Sequence, residues 1–406
     1  MEHIIEINAL VYEGYGLGRL QDGKAVFVPF VLPGEEVRIK IREDKKRFAY
    51  GELIEVIKAS NDRIAPSCKH YGRCGGCHYQ HIPYDLQLTY KREIFREQLQ
   101  RMGGIEDPTV EKIIHCDHQW NYRNSLQFHL TPQGELAFID ASKSNAFKVE
   151  ECLLPMEEIA KIWPLLTFEK ENQIKRIEIR QNEGNDVLLK LEGTQAVIPD
   201  IEITSSISTV HSSSDEQIVI SGDDHLVLSL DGKDFRVSAG SFFQTNFSGA
   251  KVLVDCVLEM AKGLQGTLLD LYCGVGLFTS YLADAFDQII GIEASISACE
   301  DFAENLDRYE HISLYEGTVE KMLPGLDIKP DCVVVDPPRK GIDRFALDAL
   351  VEKKPPIIIY VSCNPATLAR DVNRLMRSGY SLERSILVDM FPQTYHIESV
   401  NYLSLR

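Results

Sequence analysis

The sequence has no long apolar run and no N-terminal segment of the kind that directs secretion. No stretch approaches the roughly 18 consecutive apolar residues of a membrane-spanning helix, and the first 14 residues do not place a basic stretch before an apolar one. These absences predict a cytoplasmic protein with no membrane partner. Because the cytoplasm is reducing, the ten cysteines are expected to act as thiols or metal ligands rather than to form disulfides.

The sequence also lacks an excess of positive charge. Its 406 residues include 43 Lys and Arg against 61 Asp and Glu, a net charge of −18, which argues against a protein that coats nucleic acid by bulk positive charge. The acidity is uneven, however, because residues 1–150 carry 20 basic and 21 acidic side chains. A polyanionic partner is therefore compatible with the sequence, with its contact surface in this near-neutral third.

Three blocks of different pattern follow one another and predict an α/β plus β protein of three domains. Residues 1–60 alternate apolar and polar residues between Gly and Pro turns, which predicts a β-barrel of about five strands, either RNA-binding or simply packing. Residues 61–240 mix short strands with a helix predicted at about 84–103 and a Ser-rich surface turn at 206–217. Residues 241–406 alternate strands and helices, which predicts an open, largely parallel sheet that ends in an antiparallel hairpin.

The third block begins with the pattern of a nucleotide-binding turn. A predicted strand ends at Asp270, and Gly274 and Gly276 then allow the backbone to approach a ligand closely. The third glycine of a dinucleotide site is replaced by Thr279, whereas Glu293 ends the next strand, where a carboxylate can bind both hydroxyls of a ribose. The pattern favours an adenosine-containing cofactor over a purely structural turn, and the missing glycine makes NAD one of the less favoured cofactors of this kind.

Reactive side chains lie at the ends of later strands. Asp336 follows an apolar strand and precedes two prolines that form a rigid turn, which holds it near the ligand-binding crevice. Cys363 lies at the tip of the next strand, and the helix expected to follow it should lower the pKa of its thiol. Near the last strand, His396 and Glu398 are both candidates for a general base.

Three cysteines are close together in the second block. Cys68, Cys74 and Cys77 are separated by glycines that let the loop wrap around a ligand, which favours zinc or an iron–sulfur cluster over unrelated thiols. Such a site needs a fourth ligand. The candidates are Cys116, Cys152 and, with less support, His78 or His81.

Together these motifs resemble the RNA uridine C5-methyltransferases, in particular the iron–sulfur branch typified by the 23S ribosomal RNA 5-methyluridine enzymes. The segments FFQTN, DLYCGVGLF, DPPRKG, SCNPATLARD and HIE match in order, and the first 60 residues are similar to a TRAM domain, an RNA-binding barrel. The resemblance implies a TRAM-type barrel at 1–60, a central domain with a 4Fe–4S cluster at 61–240, and a Rossmann-like methyltransferase domain at 241–406.

The resemblance also implies the cofactor and the cluster ligands. S-adenosylmethionine would be contacted by Gln244, Tyr272, Glu293 and Asp336. The predicted turn adds Asp270, Gly274 and Gly276 to the cofactor-binding candidates. Leu277 departs from the family pattern, where a polar side chain contacts the cofactor. The cluster would be held by Cys68, Cys74, Cys77 and Cys152, so that Cys152 is selected over Cys116.

The implied reaction assigns three catalytic residues. Cys363 would add to uridine C6, Asp336 would hydrogen-bond the edge of the base, and Glu398 would remove the C5 proton after methyl transfer. We expect a monomer that acts on 23S ribosomal RNA, with uridine 54 of transfer RNA as the alternative substrate. Three alternatives fit less well. The joint presence of Cys363, Asp336 and Glu398 argues against a non-catalytic ribosome-assembly protein, and Asp336 and Arg339 depart from the motif of exocyclic-amine methyltransferases. A cluster-based redox enzyme would need a flavin or nicotinamide site, and the sequence shows none.

Overall fold

The computed structural model describes residues 2–169, 173–194, 207–213 and 216–406. These residues form a closed five-stranded barrel, a seven-stranded sheet, a two-stranded hairpin and an eight-stranded sheet. No helix in the described part of the chain is both long enough and apolar enough to cross a membrane.

The N-terminal barrel confirms the strand pattern seen in the sequence. Its strands are paired in the order β1-β2-β3-β5-β4, and β1 closes the barrel against β4. On β2, a Cβ atom added to Gly16 would lie 2.3 Å from Val31 Cγ2, so the barrel interior leaves no room for a side chain there. The strands are β1 (Glu2–Val11), β2 (Tyr15–Arg19), β3 (Ala25–Pro29), β4 (Glu36–Asp44) and β5 (Phe48–Lys58).

The middle of the chain contributes one long helix and a mixed sheet. The sheet has the order β13-β12-β11-β10-β7-β8-β9, with β14 and β15 paired separately as a hairpin. The elements are α1 (Tyr84–Arg101), β6 (Lys112–Ile114), β7 (Ser125–Leu130), β8 (Leu136–Ile139), β9 (Ala146–Lys148), α2 (Glu157–Ile162), β10 (Ile174–Gln181), β11 (Val187–Gly193), β12 (Ser208–Ser212), β13 (Gln217–Ser221), β14 (His225–Leu230) and β15 (Lys233–Ser238).

One sequence prediction in this region is wrong. The Ser-rich stretch at 206–217 is not simply a surface turn, because Ser208–Ser212 form β12, which pairs in parallel with β11. Val210 is fully buried and His211 nearly so, and burial of these two side chains outweighs the weak strand preference of serine. Ser206 and residues 214–215 of that stretch lie outside the described residues.

The C-terminal sheet carries the predicted parallel architecture. Its order is β18-β17-β16-β19-β20-β22-β21-β6, and only β22 runs antiparallel to its neighbours. The elements are α3 (Phe247–Ala261), β16 (Thr267–Leu271), α4 (Leu277–Leu282), β17 (Gln288–Glu293), α5 (Ile296–Leu306), β18 (Ile312–Glu316), α6 (Val319–Met322), β19 (Cys332–Val335), α7 (Arg344–Lys353), β20 (Ile357–Ser362), α8 (Pro365–Arg377), β21 (Tyr380–Val388) and β22 (Glu398–Leu405).

Helices cover both faces of this sheet, which explains the apolar character of its strands. Along β16, Leu268 packs into the core that contains α3 and α4, and Leu269 packs into the opposite core that contains α1, α7 and α8. A parallel strand buried on both faces has no polar alternation. The predicted antiparallel hairpin at the C-terminus is also confirmed, as β21 pairs with β22.

The sheet takes its edge strand from a distant part of the chain, which the sequence did not indicate. The three-residue strand β6 pairs in parallel with β21, and α1 packs beside α8. The Lys91 ammonium on α1 forms a buried ion pair at 2.6 Å with Asp389, the residue after β21. Residues from the predicted central domain therefore form part of the C-terminal sheet and of the helices that cover it.

Candidate active site and cysteine cavity

Strand register brings the predicted catalytic residues to one edge of the C-terminal sheet. Leu271 on β16 pairs with Val335 on β19, and Val335 pairs with Tyr360 on β20, so these parallel strands end side by side. Ser362 at the end of β20 pairs with Ser399 on the antiparallel β22. The next positions along the two strands are Cys363 and Glu398, which the register therefore brings opposite one another.

The acidic groups at this edge lie in a poorly solvated crevice. Glu398 is buried, and both its burial and the charge of Asp336 raise the pKa of its carboxyl well above the ordinary value. Burial, followed by the charge of Asp270, raises the pKa of Asp336 to about 7. Carboxyls with such values can be protonated near neutral pH and can then donate hydrogen bonds.

The expectation of a lowered thiol pKa at Cys363 is wrong. Burial, and then the charges of Glu398 and Asp336, raise its pKa to about 12. The helix N-terminus offers little compensation because the Asn364 side chain already accepts the free amides of Ala366 and Thr367, at 3.0 and 3.3 Å. Burial therefore favours the neutral thiol over the thiolate in the free protein.

Arg339 is a charged residue of the site to which sequence reasoning gave no role. Its guanidinium lowers the pKa of both Cys363 and Glu398, against the larger effect of burial. Its carbonyl accepts hydrogen bonds from Asn364 Nδ2 at 3.0 Å and Thr367 Oγ1 at 3.2 Å, which join the loops after β19 and β20. Its place within DPPRKG, three residues after Asp336, was the available signal.

The turn after β16 has room for a ligand beside an incompletely bonded carboxyl. Asp270 is buried and accepts a hydrogen bond from Thr279 Oγ1 at 2.6 Å, but its Oδ1 atom has no partner among the described residues. Thr279 thus supports Asp270 at the position where a dinucleotide site has glycine. A Cβ on Gly274 would meet nothing within 4 Å, whereas one on Gly276 would lie 2.7 Å from Leu306. Gly274 therefore faces open space, and Gly276 permits helix packing.

The remaining cofactor candidates surround this turn. The Glu293 carboxylate accepts the Gly274 amide at 3.0 Å and so joins the ends of β16 and β17. Tyr272 has a φ of +62°, a conformation that L-residues rarely adopt outside functional turns. Gln244 is half-buried in the loop before α3, where its carbonyl accepts from Asn124 Nδ2 at 2.9 Å. The open space at Gly274, the unpaired Oδ1 atom of Asp270 and the Glu293 carboxylate, which is placed to bind a ribose, fit S-adenosylmethionine, a nucleoside with a cationic sulfonium.

Four of the predicted cluster ligands line a single cavity of about 390 Å³. They are Cys68, Cys74, Cys77 and Cys152. Burial raises the pKa of Cys77 to about 12 and that of Cys152 to about 11. The other candidate ligands do not line this cavity: Cys116 contacts Asn246, His78 packs against Tyr395, and His81 is bonded to Tyr71.

Polar atoms without partners line the cysteine cavity. In the described part of the chain, no group of three or more Cys, His, Asp and Glu side chains could hold a metal ion. A 4Fe–4S cluster would need each of the four cysteines as a thiolate on a different iron. The buried Nε atom of Arg123 and Oγ1 atom of Thr245, both cavity-lining residues, lack hydrogen-bond partners in the described structure. An unpaired guanidinium nitrogen suits a cluster with negative charge.

Comparisons with known proteins agree with this geometry. The profile of the tRNA (Uracil-5-)-methyltransferase family matches residues 199–314 and 322–406, and that of the TRAM domain matches residues 4–54. RNA methyltransferases described as uncharacterized, from Halalkalibacterium halodurans and Aquifex aeolicus, are 32% and 34% identical. Each alignment covers 99% of this chain, and 96% and 98% of the respective relative.

A solved structure shares the whole architecture. The tRNA (uracil-54, C5)-methyltransferase of Pyrococcus abyssi, in complex with S-adenosyl-L-homocysteine, superposes with a TM-score of 0.75 at 25% identity, over 98% of this chain and all of that one. The fold and the site define an S-adenosylmethionine-dependent methyltransferase. The chain belongs to the RNA uracil-C5 methyltransferase family.

The buried carboxyl of Asp270 should give the protein a distinctive dependence of stability on pH. Burial raises its pKa from 3.8 to about 7, so between these values the folded state binds a proton that the unfolded state lacks. The stability supplied by that proton is present below pH 3.8 and lost as pH rises through 7. As the pH rises from about 4 to about 8, the free energy of unfolding of Asp270→Asn should therefore increase by on the order of 4 kcal/mol relative to that of the parent. Urea unfolding at a series of pH values measures this difference.

Asp140 provides a control, because the pKa of its carboxyl shifts in the opposite direction: a hydrogen bond from Ser142 lowers it. Folded and unfolded forms are then both ionised from about pH 5 to pH 8, so the difference between Asp140→Asn and the parent should stay constant over this range. Parallel stability curves for Asp270→Asn and the parent would contradict the assignment at Asp270.

Proposed function

We propose that this enzyme methylates C5 of a uridine in structured RNA, with 23S ribosomal RNA as its substrate, through a covalent bond between Cys363 Sγ and uridine C6. The observation that carries the proposal is the register of β20 and β22, which sets Cys363 opposite Glu398 beside Asp336. We expect the enzyme to act as a cytoplasmic monomer. When bound, S-adenosylmethionine supplies a methyl group on a positively charged sulfonium.

In the proposed mechanism, Cys363 makes C5 nucleophilic. Uridine C5 is too weak a nucleophile on its own, and addition of the thiolate to C6 moves electron density towards C5 and O4. The thiol must first lose its proton to solvent water, and the high pKa values of both Cys363 and Glu398 fall when positive charge enters the crevice beside them. Protonated Asp336, with its pKa near 7, is suited to donate a hydrogen bond to a uracil carbonyl that gains negative charge.

Glu398 completes the reaction. Once C5 carries the methyl group, the Glu398 carboxylate takes the C5 proton, the electrons of that C–H bond form the C5–C6 double bond, and the C6–S bond breaks to return the Cys363 thiolate. Without this base the chain would stay bonded to its RNA. Because C5 and C6 lie within a stacked base, the uridine must turn out of its stack to reach the crevice.

The barrel supports an RNA substrate. Four aromatic rings lie against one another on the outer surface of β2, β3 and β5, half-buried and with centroids 5.5 to 6.5 Å apart: Tyr15, Phe27, Phe48 and Tyr50. Exposed Arg42, Lys45, Lys46 and Arg47 lie on β4 and in the turn that leads to β5. Aromatic faces next to basic side chains are the usual means of holding unpaired bases and their phosphates.

Removing the base should trap the covalent intermediate. Glu398→Gln should methylate unmodified RNA about 10²- to 10⁴-fold more slowly and should accumulate a protein–RNA band that survives denaturing electrophoresis. Cys363→Ala should give neither the band nor product. Glu383→Gln, an exposed acid on the adjacent strand, is the control and should behave like the parent. No stable band with Glu398→Gln, while the parent makes 5-methyluridine, would count against the assigned base.

We further propose that the cysteine cavity holds a 4Fe–4S cluster that ties residues 68–77 to residue 152 and shapes the RNA-binding surface. Protein purified without oxygen should contain about four iron and four sulfide ions per chain. Cys152→Ser should lower both and weaken RNA binding, and Cys116→Ser, which alters a cysteine outside the cavity, should not. One zinc ion per chain and no sulfide would refute the cluster.

Transfer RNA is the competing substrate, because the Pyrococcus abyssi structure described above is that of a tRNA (uracil-54, C5)-methyltransferase. Ribosomal RNA is favoured by the combination of barrel and four-cysteine set that resembles the ribosomal enzymes. Mass spectrometry of RNA from a deletion strain should show 5-methyluridine missing from 23S ribosomal RNA and retained in transfer RNA. The reverse pattern would make transfer RNA the substrate.

A further inference from the structure

The short loop that leads into Glu398 is held by donors from outside the C-terminal sheet. The last pair of β21 and β22 is Val388 with Glu398, and residues 389–397 form the loop between them. Four consecutive carbonyls of this loop, at residues 390–393, each accept hydrogen bonds from distant segments. In order along the loop, the donors are Asn246 Nδ2 at 2.9 Å, Lys91 Nζ at 3.0 Å, the Tyr122 hydroxyl at 3.0 Å, and the amides of His78 and Tyr79 at 2.9 and 3.0 Å.

The loop has a conformation that it would not keep without such support. Gln393 has a φ of +68°, in the left-handed region that residues other than glycine rarely adopt. Its buried side chain and backbone are both bonded to Gln87: Gln87 Nε2 donates to Gln393 Oε1 at 3.1 Å, and the Gln393 amide donates to Gln87 Oε1 at 3.0 Å. We call this set of donors, together with Gln87, the loop clamp.

The loop that the clamp holds runs directly into Glu398, and the clamp itself adjoins the cysteine cavity. His396, two residues before Glu398, packs its ring against Phe391 at 5.7 Å and Tyr395 at 4.4 Å. Tyr122 packs with Cys77 in one apolar cluster, and His78 directly follows Cys77. The chain that lines the cavity therefore also fixes the loop in front of the base.

The clamp matters for catalysis because a base acts only from a narrow range of positions. Proton removal needs the carboxylate within hydrogen-bond reach of the C5 proton, and a shift of about 1 Å can lower a rate greatly. Nucleophilic addition depends instead on Cys363, which is carried by β20 and α8 and receives no hydrogen bond from the clamp. Loosening the clamp should therefore affect the two steps unequally.

We propose that Tyr122 and Gln87 are positioning residues for the catalytic base: by holding loop 389–397, they place Glu398 for removal of the C5 proton without contributing to the attack of Cys363. The inference rests on the proposed function, because it requires Glu398 to be the base. It assigns a positioning role to residues that belong to none of the sequence motifs.

The test uses Tyr122→Phe, which removes one hydroxyl and keeps the ring. Tyr380→Phe is the matched control, because its buried hydroxyl also donates to a proline carbonyl, that of Pro355 at 2.9 Å, and lies outside the clamp. With RNA that carries deuterium at uridine C5, Tyr122→Phe should slow turnover about fivefold, show a larger isotope effect than the parent, and accumulate the covalent band. The rate of band formation should match that of the parent.

A second variant guards against a simple folding defect. Thr394→Val removes the hydroxyl that donates to the Phe391 carbonyl at 2.8 Å within the same loop, and it should change the isotope effect in the same direction. Equal slowing of band formation and release in the loop variants, or an isotope effect like that of Tyr380→Phe, would overturn the proposal. Failure of the proposed function would look different, because Glu398→Gln would then form no band at all.

Discussion

The site depends on one antiparallel strand in a sheet that is otherwise mostly parallel. Parallel strands bring only their carboxyl ends to a common edge, and β16, β17, β19 and β20 deliver Asp270, Glu293, Asp336 and Cys363 in this way. β22 runs in the opposite direction, so its first residue, Glu398, reaches the same edge from the amino end. A single reversal therefore adds a carboxyl directly opposite the thiol, which a fully parallel sheet could not do.

Burial gives this edge its chemical character. Three carboxyls and a thiol share a crevice in which desolvation, more than any neighbour, raises their pKa values. Desolvation therefore favours the neutral forms of these four groups in the free protein. A cationic cofactor meets an environment that becomes more acidic and more nucleophilic in response. The Arg339 guanidinium lowers the pKa of Cys363 and Glu398 in the same direction.

The central segment supports the catalytic layer as well as lying beside it. β6 extends the sheet next to β21, and Lys91 pairs with Asp389 although the two are 298 residues apart in the chain. The four cysteines line a cavity whose loop continues directly into donors to the residues in front of Glu398. The N-terminal segment and loop 389–397 also meet through Tyr12 and Tyr395, whose rings pack edge to face. The three parts of the chain are thus in contact with one another near the catalytic residues.

The sequence by itself determined the barrel and the parallel sheet and supplied the candidates for the reactive groups, because strand alternation, turn residues and motifs at strand ends are local signals. It also indicated the four cysteines and the cofactor turn. Only the tertiary structure decided that the pKa of the Cys363 thiol is raised, since burial and then the charges of Glu398 and Asp336 outweigh the effect expected from the helix. It alone revealed β12, the β6 edge and the contacts on loop 389–397, because these arise from pairings between residues far apart in the chain. Local pattern specifies which groups are present, and packing specifies their ionisation and their support.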